Sequence, residues 1–299
     1  MAATSGRVGA EAIRRKGWLR ANKWLLLRRT SQLGLLALFL AGPWFGAWIV
    51  KGTLASSLTL DLLPLSDPYI LLQGLLAGHL PHVTALIGAG IVLAFYLLVG
   101  GRVYCSWVCP VNLVTDAAAW LRRRLGLRGA GSSFSRTFRY WLLGTTLVLA
   151  ALAGTIVWEL VNPVTILHRG LLFGMGTGWL LILGIFLFDL LITRHGWCGH
   201  LCPVGAFYSL LAVVTPVRVS ATDRSRCNDC MDCFQVCPEP QVITPALKGE
   251  AKGIGPMIRD INCTNCGRCV DVCSEQVFGF TLGRDNPTPT IHQKMETSS

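Results

Sequence analysis
The chain has 299 residues, 52% of them hydrophobic and only 14% Asp, Glu, Lys or Arg, with a mean hydropathy of +0.50. Globular domains carry about 25% charged residues, so an ordinary soluble enzyme is excluded. The net charge of +11 does not point to nucleic acid, because the basic residues flank apolar stretches, where positive charge sets membrane topology.

In chain order the apolar stretches are Leu33 to Val50, Val83 to Gly100, Tyr140 to Leu160 and Gly178 to Thr193. About 17–25 helical residues cross the hydrocarbon. The first three stretches are long enough directly, and the fourth needs Thr177 and Trp179 at the interface. All of the 27 Lys and Arg residues except Lys51 and Arg169 lie before the first stretch, between the second and third, or after the fourth. Four spans with both termini cytoplasmic satisfy that bias. Tyr69 to Leu80 and Val204 to Val214 are apolar but short, and read as interfacial or re-entrant pieces. A crossing by either would move the tail outside. Arg28-Arg29 resembles a twin-arginine export signal, but three further spans and the lack of a clear small-residue cleavage site favour a charge-flanked anchor.

A weak internal repeat follows. The second stretch ends in Cys105-Ser106-Trp107-Val108-Cys109-Pro110, and the fourth in Cys198-Gly199-His200-Leu201-Cys202-Pro203. Thiols four apart share one face of a helix, and the proline ends or kinks it. Cys105, Cys109, Cys198 and Cys202 therefore read as a further metal or cluster site, or as a thiol–disulfide relay; the bland alternative is four packed structural cysteines.

The other eight of the twelve cysteines stand in two runs. Cys227, Cys230, Cys233 and Cys237 form C-x2-C-x2-C-x3-C followed by Pro238. Cys263, Cys266, Cys269 and Cys273 repeat it with Ser274 in place of the proline. This is the two-cluster bacterial ferredoxin pattern, in which the fourth cysteine of each run ligates the other cluster. Cys227, Cys230, Cys233 and Cys273 are expected to bind one [4Fe–4S] cluster, and Cys263, Cys266, Cys269 and Cys237 the second. Structural zinc prefers well-separated C-x2-C knuckles, and no C-x-x-C-H haem run exists. The spacing also implies a reducing compartment for the tail.

The expected fold is an α-helical integral membrane protein with four transmembrane helices, plus a small α+β two-[4Fe–4S] ferredoxin-like C-terminal domain. Its parts are a basic cytoplasmic tail (1–32), the four-helix domain of two pseudo-repeats (33–203), a connecting segment (204–217), the ferredoxin-like domain (218–282) and a flexible tail (283–299).

The segments KGWLRANKWLLLRR, GPWFGAWI, CSWVCP, HGWCGHLCPVGA, CNDCMDCFQVCPEP and CGRCVDVCSE resemble the NapH family, the membrane-bound quinol dehydrogenase component of periplasmic nitrate reductase systems. The resemblance runs from about Glu11 to Phe280. NosR-type and methylamine-utilisation ferredoxin-type families are related. Membership implies an electron-transfer oxidoreductase subunit that draws electrons from ubiquinol in the membrane pool. It passes them, with a periplasmic iron–sulfur partner of the NapG type, toward nitrate reductase. Competing readings are a redox anchor that docks the partner without oxidising quinol, and an electron-transfer protein for metal-centre maturation.

Quinol oxidation needs an apolar cleft, hydrogen-bond partners for two hydroxyls and a proton acceptor, so ionisable groups in or near spans are candidates. These are Glu159 at the outer end of the third span, His168 and Arg169 beyond it, His79 and His82 flanking a short apolar segment, and Asp189 in the fourth span. Local alternatives are headgroup contacts, or for Asp189 a pairing with Arg194 or a backbone group. Cytoplasmic clusters would face nitrate reduction across a core about 30 Å thick. Either they serve a side branch, or the C-x3-C-P thiols hold something that shortens the path.

Overall fold
The computed structural model describes residues 8–127 and 135–283. Arg7, Arg128 and the expected tail past Gly283 lie outside the described residues. The chain divides into two compact units, one grouping Asn22–Thr215 with Ile261–Cys266, the other Met1–Ala21, Pro216–Asp260 and Gly267–Ser299.

The larger unit opens with a helix over Lys23–Phe45. It begins ahead of the expected Leu33 and stops short of Val50, because Gly46 turns left-handed at φ 74° and its N–H caps the last turn. Val50 starts a small sheet where a plain loop was expected. β1 (Val50–Gly52), β2 (Ser56–Thr59) and β3 (Leu63–Ser66) pair antiparallel in that order, with Val50 opposite Thr59 and Ser57 opposite Leu65. A short helix, Pro68–Leu76, follows; Asp67 caps it by accepting from the Tyr69 N–H, and Pro68 supplies a pre-set first turn.

Three further apolar helices cover Val83–Val99, Phe138–Ala153 and Gly178–Leu187. Gly154, left-handed at φ 61°, ends the second of these seven residues before the expected Leu160, and a 3-10 turn over Val157–Leu160 takes its place. The last passes into a π-helical turn over Phe188–Ile192. These apolar helices stand at the places of the four expected spans. Among the described residues, Lys23–Phe45 is the helix long and apolar enough to cross a membrane by length and composition, and the other three fall in a shorter class.

β3 lies directly on the helix Val83–Val99. A Cβ at Gly88 would sit 3.1 Å from the Pro64 carbonyl, so any larger residue there would push strand and helix apart by a few tenths of an ångström. The interior is aromatic, built from Tyr69, Tyr96, Tyr104, Trp158 and Tyr208 with Leu143 and Val204. The outward faces are apolar as well: Trp141 is 72% exposed and Leu152 79%. A large contiguous apolar surface of this kind is rare on a soluble monomer.

The smaller unit is α+β. β4 (Val217–Ser220) and β5 (Gly279–Leu282) pair antiparallel, Val217 opposite Leu282. Two five-residue helices, Asp232–Val236 and Arg268–Val272, pack on each other, and a third covers Ile243–Lys248. The basic N-terminal segment joins this unit as two short helices, Ala10–Lys16 and Trp18–Ala21. Gly9 donates its N–H to Asp232 at 2.9 Å, Arg15 pairs with Glu275 at 2.7 Å, and Lys16 donates to the Val270 carbonyl at 2.9 Å. Two of the basic residues that read as a topology signal, Arg15 and Lys16, thus bond the ferredoxin-like fold.

Candidate metal centres
In both cysteine runs the backbone bends the same way. Asp229 and Met231, on either side of Cys230, have φ 56° and 64°; Asn265 and Gly267, on either side of Cys266, have φ 46° and 70°. Left-handed residues beside extended or helical ones turn successive N–H groups toward a common centre, which suits an anionic sulfur-rich group. Each third cysteine then enters a short helix, and each fourth lies just past its end in extended backbone, Cys237 with ψ 129° and Cys273 with ψ 110°.

Cys227, Cys230, Cys233 and Cys273 line one cavity together with Met231, Leu247 and Phe278. The structure thus brings the fourth cysteine of the second run to the three of the first. Burial pushes the Cys227 and Cys230 thiols up, and that of Cys233 up to about 12. Bare thiolates are costly here, and bound iron supplies the offsetting charge. Among the described residues no three of His, Cys, Asp and Glu converge to hold a single ion. A cubane takes each thiolate on a different iron and needs no such convergence. The donor set fits a [4Fe–4S] cluster. Asp229 is held below the usual carboxylate range by its hydrogen bond to Lys248, so a fixed charge pair stands at the mouth of this loop.

Cys263 and Cys266 belong to the larger unit with the rest of Ile261–Cys266. The Ser106 hydroxyl donates to the Thr264 carbonyl at 2.8 Å, and the Trp107 indole to the Asn265 carbonyl at 3.2 Å. The side chain of Arg102 bridges the Asn262 carbonyl at 2.7 Å and the Cys198 carbonyl at 3.1 Å. Arg139 reaches the Gly199 carbonyl at 3.3 Å and the Asn262 side chain. Both arginines are fully buried. Sequence reading assigned them to topology; here they tie the second C-x3-C-P turn to the residue before Cys263.

The C-x3-C-P segments are π-helical turns, Tyr104–Val108 and Trp197–Leu201, not the α-helix ends expected. Their ring closes from the Cys109 N–H to the Tyr104 carbonyl and from the Cys202 N–H to the Trp197 carbonyl. The proline forces the preceding cysteine out of helical backbone and starts the next helix, Val111–Arg124 or Pro203–Leu211. The four thiols are within electrostatic reach of one another. Gln32, 0% exposed, clamps the first turn by donating to the Ser106 and Cys109 carbonyls at 3.0 and 3.3 Å, and Ser31 donates to the Trp107 carbonyl. Arg28 and Arg29 both pair with Asp116. A glutamine and an arginine pair at the start of an apolar stretch were the available signals for this clamp.

Of the quinol candidates, Asp189 alone bonds to one of these turns. Glu159 accepts from Thr165 at 3.2 Å and from Asn162. His168 is buried edge-on to Phe39, and neither ring nitrogen has a hydrogen-bond partner. Asp189 accepts the Trp197 N–H at 2.9 Å and so braces the second turn. His79 bonds the Gly154 carbonyl, His82 bonds Thr84, and Arg169 is exposed.

These features define a ferredoxin-type iron–sulfur electron-transfer protein. Residues 81–128 and 173–219, each containing one C-x3-C-P turn, match the family described as a 4Fe-4S binding domain, and residues 226–277 match the 4Fe-4S dicluster domain. The chain is 52% identical to the ferredoxin-type protein NapH of Escherichia coli over 91% of its own length and 94% of that protein's. It is 50% identical to NapH of Haemophilus influenzae over 93% and 96%. It is 55% identical to the methylamine utilization ferredoxin-type protein MauN of Paracoccus denitrificans over 90% and 94%. No solved structure matches. The chain belongs to the NapH family of ferredoxin-type proteins.

Proposed function
We propose that the chain is a membrane-bound quinol dehydrogenase component. It spans the inner membrane with its four apolar helices, keeps both termini cytoplasmic, and takes electrons from ubiquinol. Cys227, Cys230, Cys233 and Cys273 hold one [4Fe–4S] cluster and Cys263, Cys266, Cys269 and Cys237 a second. The C-x3-C-P cysteines hold a further metal or cluster. Each cluster supplies one-electron chemistry. The chain's own part is to fix the thiolates, exclude water and aim buried arginines at the anionic centres. Electrons leave through a periplasmic iron–sulfur partner of the NapG type toward nitrate reductase.

The observation that carries this reading is the pair of hydrogen bonds from Ser106 and Trp107 to Thr264 and Asn265. They lock an iron-binding loop onto a thiol turn inside a unit with apolar outer faces, which is the arrangement a lipid-soluble electron donor requires. The test is anaerobic addition of a short-chain ubiquinol to inverted membrane vesicles, followed by EPR. Appearance of reduced-cluster signals is expected. Signals elicited by dithionite but never by ubiquinol would overturn it.

The MauN-named relative favours a second acceptor, in methylamine utilisation, with the same entry of electrons. Its 55% identity equals or exceeds that of the NapH-named relatives, so reconstitution with each acceptor decides between them.

A further inference from the structure
Between the aromatic interior and β3 lies a cavity of about 310 Å³. Small-molecule sites begin at about 300 Å³ and are mostly apolar with a few convergent polar groups. This one has Leu35 and Phe39 on one wall and Ile91 and Phe95 on another. Ile91 and Phe95 are also exposed on the apolar outer surface, so a hydrocarbon tail can pass from that surface into the cavity without meeting charge.

Its polar residues are few: Asp67, Ser66, Tyr96, Tyr104 and Tyr208 are buried and Ser57 is half-buried. Tyr104 and Tyr208 stack with ring centroids 4.8 Å apart, and Tyr96 meets Tyr208 edge-on at 5.0 Å. Asp67 Oδ1 accepts from the Tyr69 N–H at 2.9 Å and from the Tyr208 hydroxyl at 3.4 Å, and the carboxylate also takes the Ile70 N–H; a carboxylate has about four acceptor positions, so one more donor can be accommodated. The Tyr96 and Tyr104 side chains are more than nine-tenths buried and make no hydrogen bond among the described residues. Neither hydroxyl is sealed off from open space, so a ligand with oxygen at the ring edge can bond them. Tyr104 and Val108 line the cavity from the turn whose Ser106 and Trp107 bond the Cys263–Cys266 loop.

We propose that this cavity binds the ring of a lipid quinol, with Asp67 accepting a hydrogen bond from one hydroxyl and the Tyr96–Tyr104–Tyr208 cluster packing against the ring. The site rests on the quinol reading above and replaces Glu159, His168 and Asp189 as its centre. Glu159 retains a neighbouring place, within electrostatic reach of Asp67. A planar ring packs offset or edge-on against aromatic walls, and a fixed carboxylate is the stronger class of acceptor.

Photolabelling with an azido derivative of short-chain ubiquinone tests the site without turnover. Label in the peptides carrying Asp67 or Val92 to Tyr96 is expected, competed by unmodified ubiquinone. Label confined to other segments, such as the one around His168, would overturn the site even if ubiquinol reduces the clusters. Label in the cavity with clusters that ubiquinol cannot reduce would uphold the site and sink the quinol dehydrogenase reading instead. Asp67→Asn keeps the helix cap, since Asn caps as well as Asp. It is expected to raise the half-saturating ubiquinol concentration for cluster reduction about tenfold or more while the EPR of dithionite-reduced clusters is unchanged. An unaltered half-saturation would remove Asp67 from the site.

Discussion

The Ser106 hydroxyl donates to the Thr264 carbonyl at 2.8 Å, and both residues are buried. One side of the bond is a C-x3-C-P turn; the other is the peptide between Cys263 and Cys266. The contact gives the two cysteine systems a common frame, so a disturbance in one is felt by the other.

Ser106→Ala leaves that carbonyl without its partner, at a cost of about 1–3 kcal/mol. The thermal midpoint in detergent is expected to fall by about 2–10 °C for a unit of this size. EPR of the variant should show the second-run cluster altered and the first-run cluster intact. Equal change in both would show that the bond does not act locally.

Cys273→Ser and Cys237→Ser separate the interleaved ligand sets. Cys273 lines the cavity with Cys227, Cys230 and Cys233, so its loss should degrade the first-run cluster and spare the second. Cys237→Ser should do the reverse. Potentiometric EPR titration of each variant checks this, and the opposite assignment would mean that each run keeps its own fourth cysteine.

Met231 is left-handed at φ 64° where the other loop has Gly267 at φ 70°. A side chain in that region costs about 1–2 kcal/mol, and Met231 is largely outside the core. Met231→Gly is therefore expected to stabilise the smaller unit by about 0.5–1 kcal/mol, after the added chain entropy of glycine. Urea titration of the full chain, followed by cluster absorbance, measures it; a lower midpoint would contradict it.

Burial pushes Asp67 up to about 6, against the pull of its bonds from Tyr69 and Tyr208 and with a further push from the charge of Glu159. As pH falls through about 6 the carboxylate gains a proton and loses its strength as an acceptor. The half-saturating ubiquinol concentration should therefore rise below that pH in the wild type and stay flat in Asp67→Asn. The surrounding Tyr69, Tyr96, Tyr104 and Tyr208 keep their ordinary charge there. Glu159 is the remaining titratable neighbour, and Glu159→Gln with the wild-type pH response assigns the effect to Asp67.

The two ferredoxin runs were legible because thiolate spacing is itself the geometry: three cysteines on a tight loop admit few other uses. The apolar helices were legible in place, but their ends were not. Gly46 and Gly154 stop two of them through left-handed turns that hydropathy does not register. The sheet was hidden because its strands are three or four residues long and β3 contains Pro64, a residue that speaks against a strand. Arg102 and Arg139 were read as topology signals because charge bias along a chain does not distinguish a headgroup contact from a buried carbonyl bond. Asp67 was missed because it lies outside every apolar stretch, as the cap of the short helix Pro68–Leu76. The C-x3-C-P spacing pointed to a shared face, but a π turn and an α turn have the same four-residue signature in sequence.

Iron, acid-labile sulfide and zinc analysis of the anaerobically purified chain tests the central claim most directly. At least about eight irons and eight sulfides per chain are expected from the two cluster sets alone, with little zinc. Stoichiometric zinc without sulfide would contradict it.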